Sequence, residues 1–211
     1  MLDAVLVQHT EIIKGRAVVA DDWTVLRLEA PDGSDAAAAA DTADKAAALT
    51  AAAAAITVPE GKLIVPLAVW LAQGAALAAR AAAGTLGVWF ASDERPETLK
   101  GQLAQFAVVA VDFPKFTDGR GYSIAYNLRM RLGYQGELRA IGDVLRDQLF
   151  QMQRCGFDAF ATRQDRNIHD ALKGLTDFSE VYQASVDQKA PLFRRQVRDV
   201  RIESADVGYG I

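Results

Sequence analysis

Sulfur and imidazole are scarce in this chain, which has one cysteine, Cys155, and two histidines, His9 and His169. A lone cysteine cannot close an internal disulfide, form a dithiol redox centre or hold an iron–sulfur cluster by itself. The histidines lie far apart in sequence and in no metal-ligand spacing, so no histidine- or cysteine-based metal site is expected. Positive charge is not in excess. With a net charge of −4 there is no electrostatic case for nucleic acid or for an anionic membrane surface. No uninterrupted apolar run reaches the roughly 18 to 20 residues of a membrane helix. The nearest, "LIVPLAVWLAQGAALAARAAAG", is interrupted by Pro66, Gln73, Gly74 and Arg80. The first residues, "MLDAVLVQHTEIIKG", carry an early acid and no basic start, unlike a signal peptide, so a cytoplasmic location is expected.

What is present suits one α/β domain: 211 residues, half of them hydrophobic, can bury a substantial core. Residues 1–30 contain the β-leaning runs "AVLVQ" and "WTVLRL" and read as a small N-terminal hairpin or edge element. Residues 31–60 are dominated by alanine, with almost no large side chains to bury, and read as a low-complexity surface insertion, partly helical or mobile, and not a functional element. Residues 61–195 alternate short apolar runs with amphipathic ones, and 196–211 form a C-terminal tail.

In the 61–195 region "KLIV", "LGVWFAS", "FAVVAVDF", "GELRAIG" and "FDAFATR" read as strands. The helical stretches between them are about Leu67 to Ala83, "ERPETLKGQLAQ", "GYSIAYNLRMRLG" and "DVLRDQLFQMQRCG", with "RNIHDALKGL" after the last strand. This alternation predicts repeated βα units and a mainly parallel sheet, either open or a partial barrel. Trp70, Trp89, Phe106, Phe113 and Phe116 are expected in the core. Cys155 is expected as a small packed side chain, and His169 as a helix-surface residue without chemistry.

Ligands of parallel α/β folds collect where strands end and loops lead into helices. That edge holds Ser92 and Asp93, then Asp112, Lys115, Asp118 and Arg120, then Gly142 and Asp143, then Arg163. In "DGRGYS", Asp118 can accept from first-turn amides, Gly119 and Gly121 permit close backbone approach, and Arg120 with Ser123 favours an anion or a partner's carboxylate. A plainly capped helix with a solvated Arg120 accounts for the same residues. Because position 124 is isoleucine, "GRG" does not complete a dinucleotide fingerprint. Asp143 and Asp147 could pair for proton transfer or a cation, and Asp112, Asp118 and Asp143 together could form an acidic metal pocket, a weak signal because sequence fixes none of their separations. The favoured reading is instead Asp143 as an N-cap and Asp147 in an ion pair with Arg146 or Arg154. Lys115 is a site base only as the minority reading. The candidate anion- or partner-binding set is Asp112, Lys115, Asp118, Gly119, Arg120, Gly121, Ser123, Asp143 and Arg163.

The run "VDFPKFTDGRGYSIAYNLRMRLGYQGELRAIGDVLRDQLFQMQRCGFDAF", with "LGVWFASDERPETL", "DFSEVYQ" and "PLFRR" around it, resembles the signature block of a bacterial family. This is the domain-of-unknown-function family 934, often labelled an oxidoreductase, and the resemblance covers about residues 60 to 195. It implies an accessory role in assimilatory sulfite reduction, with sulfite reductase or its electron donor as partner, and carries over no catalytic residue. The label implies a flavin- or nicotinamide-dependent reaction, and an enzyme of the same pathway acting on a small anion is a further alternative. From the residues themselves no cofactor is expected, since no flavin, nicotinamide or iron–sulfur motif is present.

Overall fold

The computed structural model describes residues 3–29 and 42–195. The N-terminal runs form four strands, β1 (Asp3–Gln8), β2 (Glu11–Lys14), β3 (Ala17–Ala20) and β4 (Thr24–Glu29). Helix α1 (Thr42–Ala55) follows. Then come β5 (Leu63–Pro66), α2 (Leu67–Ala82), β6 (Leu86–Phe90), β7 (Val108–Phe113) and α3 (Arg120–Met130). The succession ends with β8 (Glu137–Gly142), α4 (Arg146–Cys155), β9 (Ala159–Phe160), α5 (Ile168–Lys173) and α6 (Leu192–Arg195). The nine strands among the described residues belong to one sheet, ordered β1-β4-β5-β6-β7-β8-β9-β2-β3. From β4 to β9 the pairing is parallel, and β1 and the β2–β3 hairpin are antiparallel flanks. The expected N-terminal β element is therefore part of the main sheet.

The strand order dictates the curvature. β1 and β2 lie seven places apart in the sheet, a span of roughly 34 Å if flat at about 4.8 Å per strand. Only His9 and Thr10 connect them, and the step from Gln8 to Glu11 reaches at most about 11 Å. The sheet must curl until its two ends meet, giving a mostly parallel half-barrel. The return from β3 to β4 through Asp21–Trp23 is only one residue longer. Of the two architectures compatible with the sequence, the open sheet and the partial barrel, the structure is the second.

Alternation along each strand makes two cores. Outward-facing Leu63, Val65, Val88, Phe90, Val109, Val111 and Leu138 pack with Val69, Trp70, Leu128, Leu149 and Met152 of the helices. Inward-facing Ile12, Val25, Ile64, Val108, Ala110, Ile141 and Ala159 fill the curl with Trp23, and Val7, Val19 and Trp89 pack against them. The interior also holds charge. Arg139, 1 % exposed, donates to both carboxylate oxygens of Asp21 at 3.0 and 2.9 Å and to Glu137 at 2.8 Å, and Lys14 meets Glu137 at 2.7 Å. Arg27 on β4 reaches Asp112 on β7 at 2.6 Å, past the two strands between them, with its guanidinium over the Trp89 ring.

Several expectations need correction. The segment "ERPETLKGQLAQ" forms two short 3₁₀ turns, Pro96–Leu99 and Leu103–Gln105, because Gly101 takes φ +83° between them and breaks any continuous helix. Within the alanine-rich stretch, the described helix α1 packs on α2. Ala53 of α1 is fully buried, and Gln73 of α2 donates to the carbonyls of Ala53 and Ile56. Phe116 is 45 % exposed at the start of a charged loop and is not core. The run at 30–41 and the tail 196–211 lie outside the described residues. Among the described residues no helix is long and apolar enough to cross a membrane.

Replacing Arg139 by Met is expected to lower unfolding stability by about 3–5 kcal/mol, because Asp21 would remain buried and unpaired and Glu137 would keep only Lys14. The same change at Lys62, whose pair with Asp22 is exposed, is expected to cost less than about 1 kcal/mol. Urea titration of the two variants beside the parent checks both values.

Candidate functional site

The carboxyl ends of β6, β7, β8 and β9 gather their loops at one rim of the half-barrel, and the candidate residues divide there into three groups. Asp112 belongs to the interior group: it alternates with Val108 and Ala110 on the inward face, and its carboxylate accepts from Arg27. Gly142 on the neighbouring strand makes room for it. At φ +93° a Cβ there would lie 2.4 Å from the Phe113 carbonyl and 2.6 Å from the Asp112 carboxylate.

The second group is built around Asp118. Its carboxylate accepts from the Ser92 hydroxyl at 2.7 Å, from the Arg120 amide at 3.1 Å, and from the Arg120 guanidinium at 3.0 and 2.7 Å. The Arg120 bonds first, then Ser92, hold the Asp118 carboxyl well below the usual carboxylate range. Asp118 thus does accept from a first-turn amide of α3, and in doing so it occupies the arginine expected to meet an anion. Gly119 precedes the helix. Gly121 has a packing duty, because a Cβ there would sit 2.7 Å from the Phe113 ring. The backbone approach it permits is to β7 and not to a ligand. Ser123 and Arg120 line a cleft of about 530 Å³ with Ser92, Asp93, Glu94 and Asn127. Lys115 is exposed, and its carbonyl accepts from the Asp118 amide at 2.9 Å.

The third group is a stitch between loops. Asp143 accepts from the Phe116 amide at 2.8 Å and from Arg163 at 3.1 Å, and Arg163 also clamps Asp165 at 2.9 Å. One carboxylate so joins the loops after β7, β8 and β9. Asp143 is not the helix cap, since α4 begins at Arg146 with Leu145 before it. Its pairing with Asp147 on one helix face is lost for the same reason. Nor does Asp147 take the expected arginines: Arg146 meets Asp170 and Asp177, and Arg154 meets Asp187. Asp112, Asp118 and Asp143 each have their own cation and do not converge. Among the described residues no cluster of three or more His, Cys, Asp or Glu is placed to hold a metal ion.

Two features escape sequence reasoning. Burial pushes the Glu94 carboxyl up to about 7, although it accepts from the Ala91 amide at 2.7 Å. Nothing in "ASDERP" signals which acid the turn tucks inward. The second is a cleft of about 470 Å³ whose lining includes both His9 and His169, so the chain's two histidines, distant in sequence, share one wall-to-wall space. Burial lowers the His9 pKa from 6.5, Arg139 and Arg27 add to that, and Asp21 and the Thr162 backbone oppose it. Only the strand order brings the β1–β2 link to β9, and no local motif announces it.

A curled α/β half-barrel with an ion-paired rim is the class defined by this geometry. A family model described as a bacterial protein of unknown function (DUF934) matches residues 87–193, and the chain belongs to that family. The matched span opens in β6 and takes in the whole rim from Ser92 to Arg163. No curated protein and no solved structure shows a significant match.

For Glu94 the folded pKa lies above the unfolded one, so its contribution to stability is complete below about pH 4.5 and is lost as pH rises through about 7. Glu94→Gln is therefore expected to match the parent at pH 4 and to exceed it by on the order of 2 kcal/mol above pH 8. Denaturant unfolding across that range tests the crossing, and parallel curves for the two proteins would refute the assignment.

Proposed function

We propose that the chain is an accessory protein of assimilatory sulfate and sulfite reduction, docking on sulfite reductase or its electron donor through the rim. Family membership across residues 87–193 carries this reading, together with the setting that the family resemblance implies. The rim chemistry is in keeping with docking. Arg120 and Arg163 are exposed yet held in fixed directions by Asp118, Asp143 and Asp165, so the surface offers ordered, alternating charge. Patterned charge of this kind steers encounter and fixes register between proteins. The rim supports an open anion hole less well, because the arginine that would serve it already holds a carboxylate.

A tagged chain expressed under sulfate-assimilating conditions is expected to capture one of the two partners. The double reversal Arg120→Glu with Arg163→Glu should weaken capture by at least about tenfold at an unchanged circular dichroism spectrum. Normal growth on sulfate after deletion of the gene, or capture indifferent to both reversals, would remove the proposal.

A further inference from the structure

The cleft holding the two histidines is independent of the docking groups, Arg163 apart, and its chemistry points to a ligand of a different size. One wall is the β1–β2 link with its flanks, Gln8 to Glu11. The other is the loop leaving β9, from Thr162 and Arg163 to Arg166 and His169. Gln164 donates to the Gln8 carbonyl at 2.9 Å and ties the walls together. The cleft therefore lies on the seam where the sheet is drawn closed, at the carboxyl end of β9.

Its lining has a definite pattern of charge. Arg163 is committed to Asp143 and Asp165. Arg166 approaches Asp165 only at 3.6 Å through its Nε, with a side chain 63 % exposed, and so is the cation most available to a ligand. One carboxylate, Glu11, lines the same space. Burial, helped by Arg139 and Arg27 and opposed by Asp21, holds the His9 pKa below its ordinary value and favours the neutral ring. A neutral imidazole offers one N–H donor and one lone-pair acceptor. The lining thus combines one available guanidinium with two acceptors. A simple dianion would meet the guanidinium and be repelled by Glu11. A molecule that is anionic at one end and a hydrogen-bond donor at the other would satisfy the whole set.

We propose that the His9–Arg166 cleft binds a small carboxylic acid bearing a hydroxyl or ammonium group beside its carboxylate. The carboxylate meets Arg166, and the donor group faces Glu11 and His9. Because the chain has only two histidines and both line this cleft, their ring resonances report on it with little background.

The test is a titration of histidine-labelled full-length chain, followed by NMR, with L-lactate, L-alanine, propionate and inorganic phosphate. Lactate or alanine is expected to shift both histidines saturably, and propionate, which lacks the donor, to bind at least about tenfold more weakly. Arg166→Gln should abolish the shifts, Glu11→Gln should remove any advantage of alanine over lactate, and Arg120→Gln should change nothing. Histidine signals unmoved by lactate and alanine, equal binding of propionate, tighter binding of phosphate, or shifts that survive Arg166→Gln would each overturn the assignment. None of these results bears on partner capture through Arg120.

Discussion

The shortness of one connection governs this molecule. His9 and Thr10 join strands that occupy opposite parts of the sheet, and that single covalent fact converts a doubly covered α/β sheet into a curled one. Curling creates an inside. Side chains of β4, β7 and β8 that would face a helix layer in an open sheet face one another across the curl. Interior positions are apolar, from Ala110 and Ala159 to Ile64 and Ile141, or else charged side chains that find a partner inside the curl. Gly87 marks the tight limit, since a Cβ there would meet the Val108 carbonyl at 2.6 Å.

The charged residues inside follow from the same geometry. Arg139 cannot reach water, so both ends of its guanidinium are satisfied, by Asp21 from the β3–β4 connection and by Glu137 from its own strand. Burying such a group is costly unless it is fully paired, and here every charge has a partner. The network gains specificity from its distance in sequence: Asp21 and Arg139 meet only if the hairpin docks on β9 in the correct register. A slip of one residue would turn Ile12 outward and Ile13 inward and separate the charges.

Much of this was legible beforehand, and its limits were physical. "VVAVDF" reads as a strand covered on both faces, and every residue of β7 is buried. Period-two patterning also places Val108, Ala110 and Asp112 on one face, but period alone cannot say that this face looks into a curl. Asp112 therefore read as a rim acid. "GELRAIG" reads as a strand, and nothing in it signals that Arg139 is enclosed by the curl. The loop acids Asp118 and Asp143 were located correctly at the strand ends. Their partners were not legible, because Ser92 and Arg163 arrive from other βα units. The histidines were separated by the arithmetic of sequence distance, which a closed sheet does not respect.

β2 pairs with β9, Ile13 opposite Phe160, so the hairpin made first waits for a strand made almost last. During synthesis the hairpin's apolar residues, Ile12, Ile13, Val18 and Val19, have no sheet to join until the chain has passed Phe160. Contacts this distant in sequence make folding slow and expose sticky segments meanwhile. Closure of the curl is thus a late event in the life of each molecule. A ribosome-stalled chain ending before β9 would carry an unpaired hairpin, and the seam cleft would have only one of its walls.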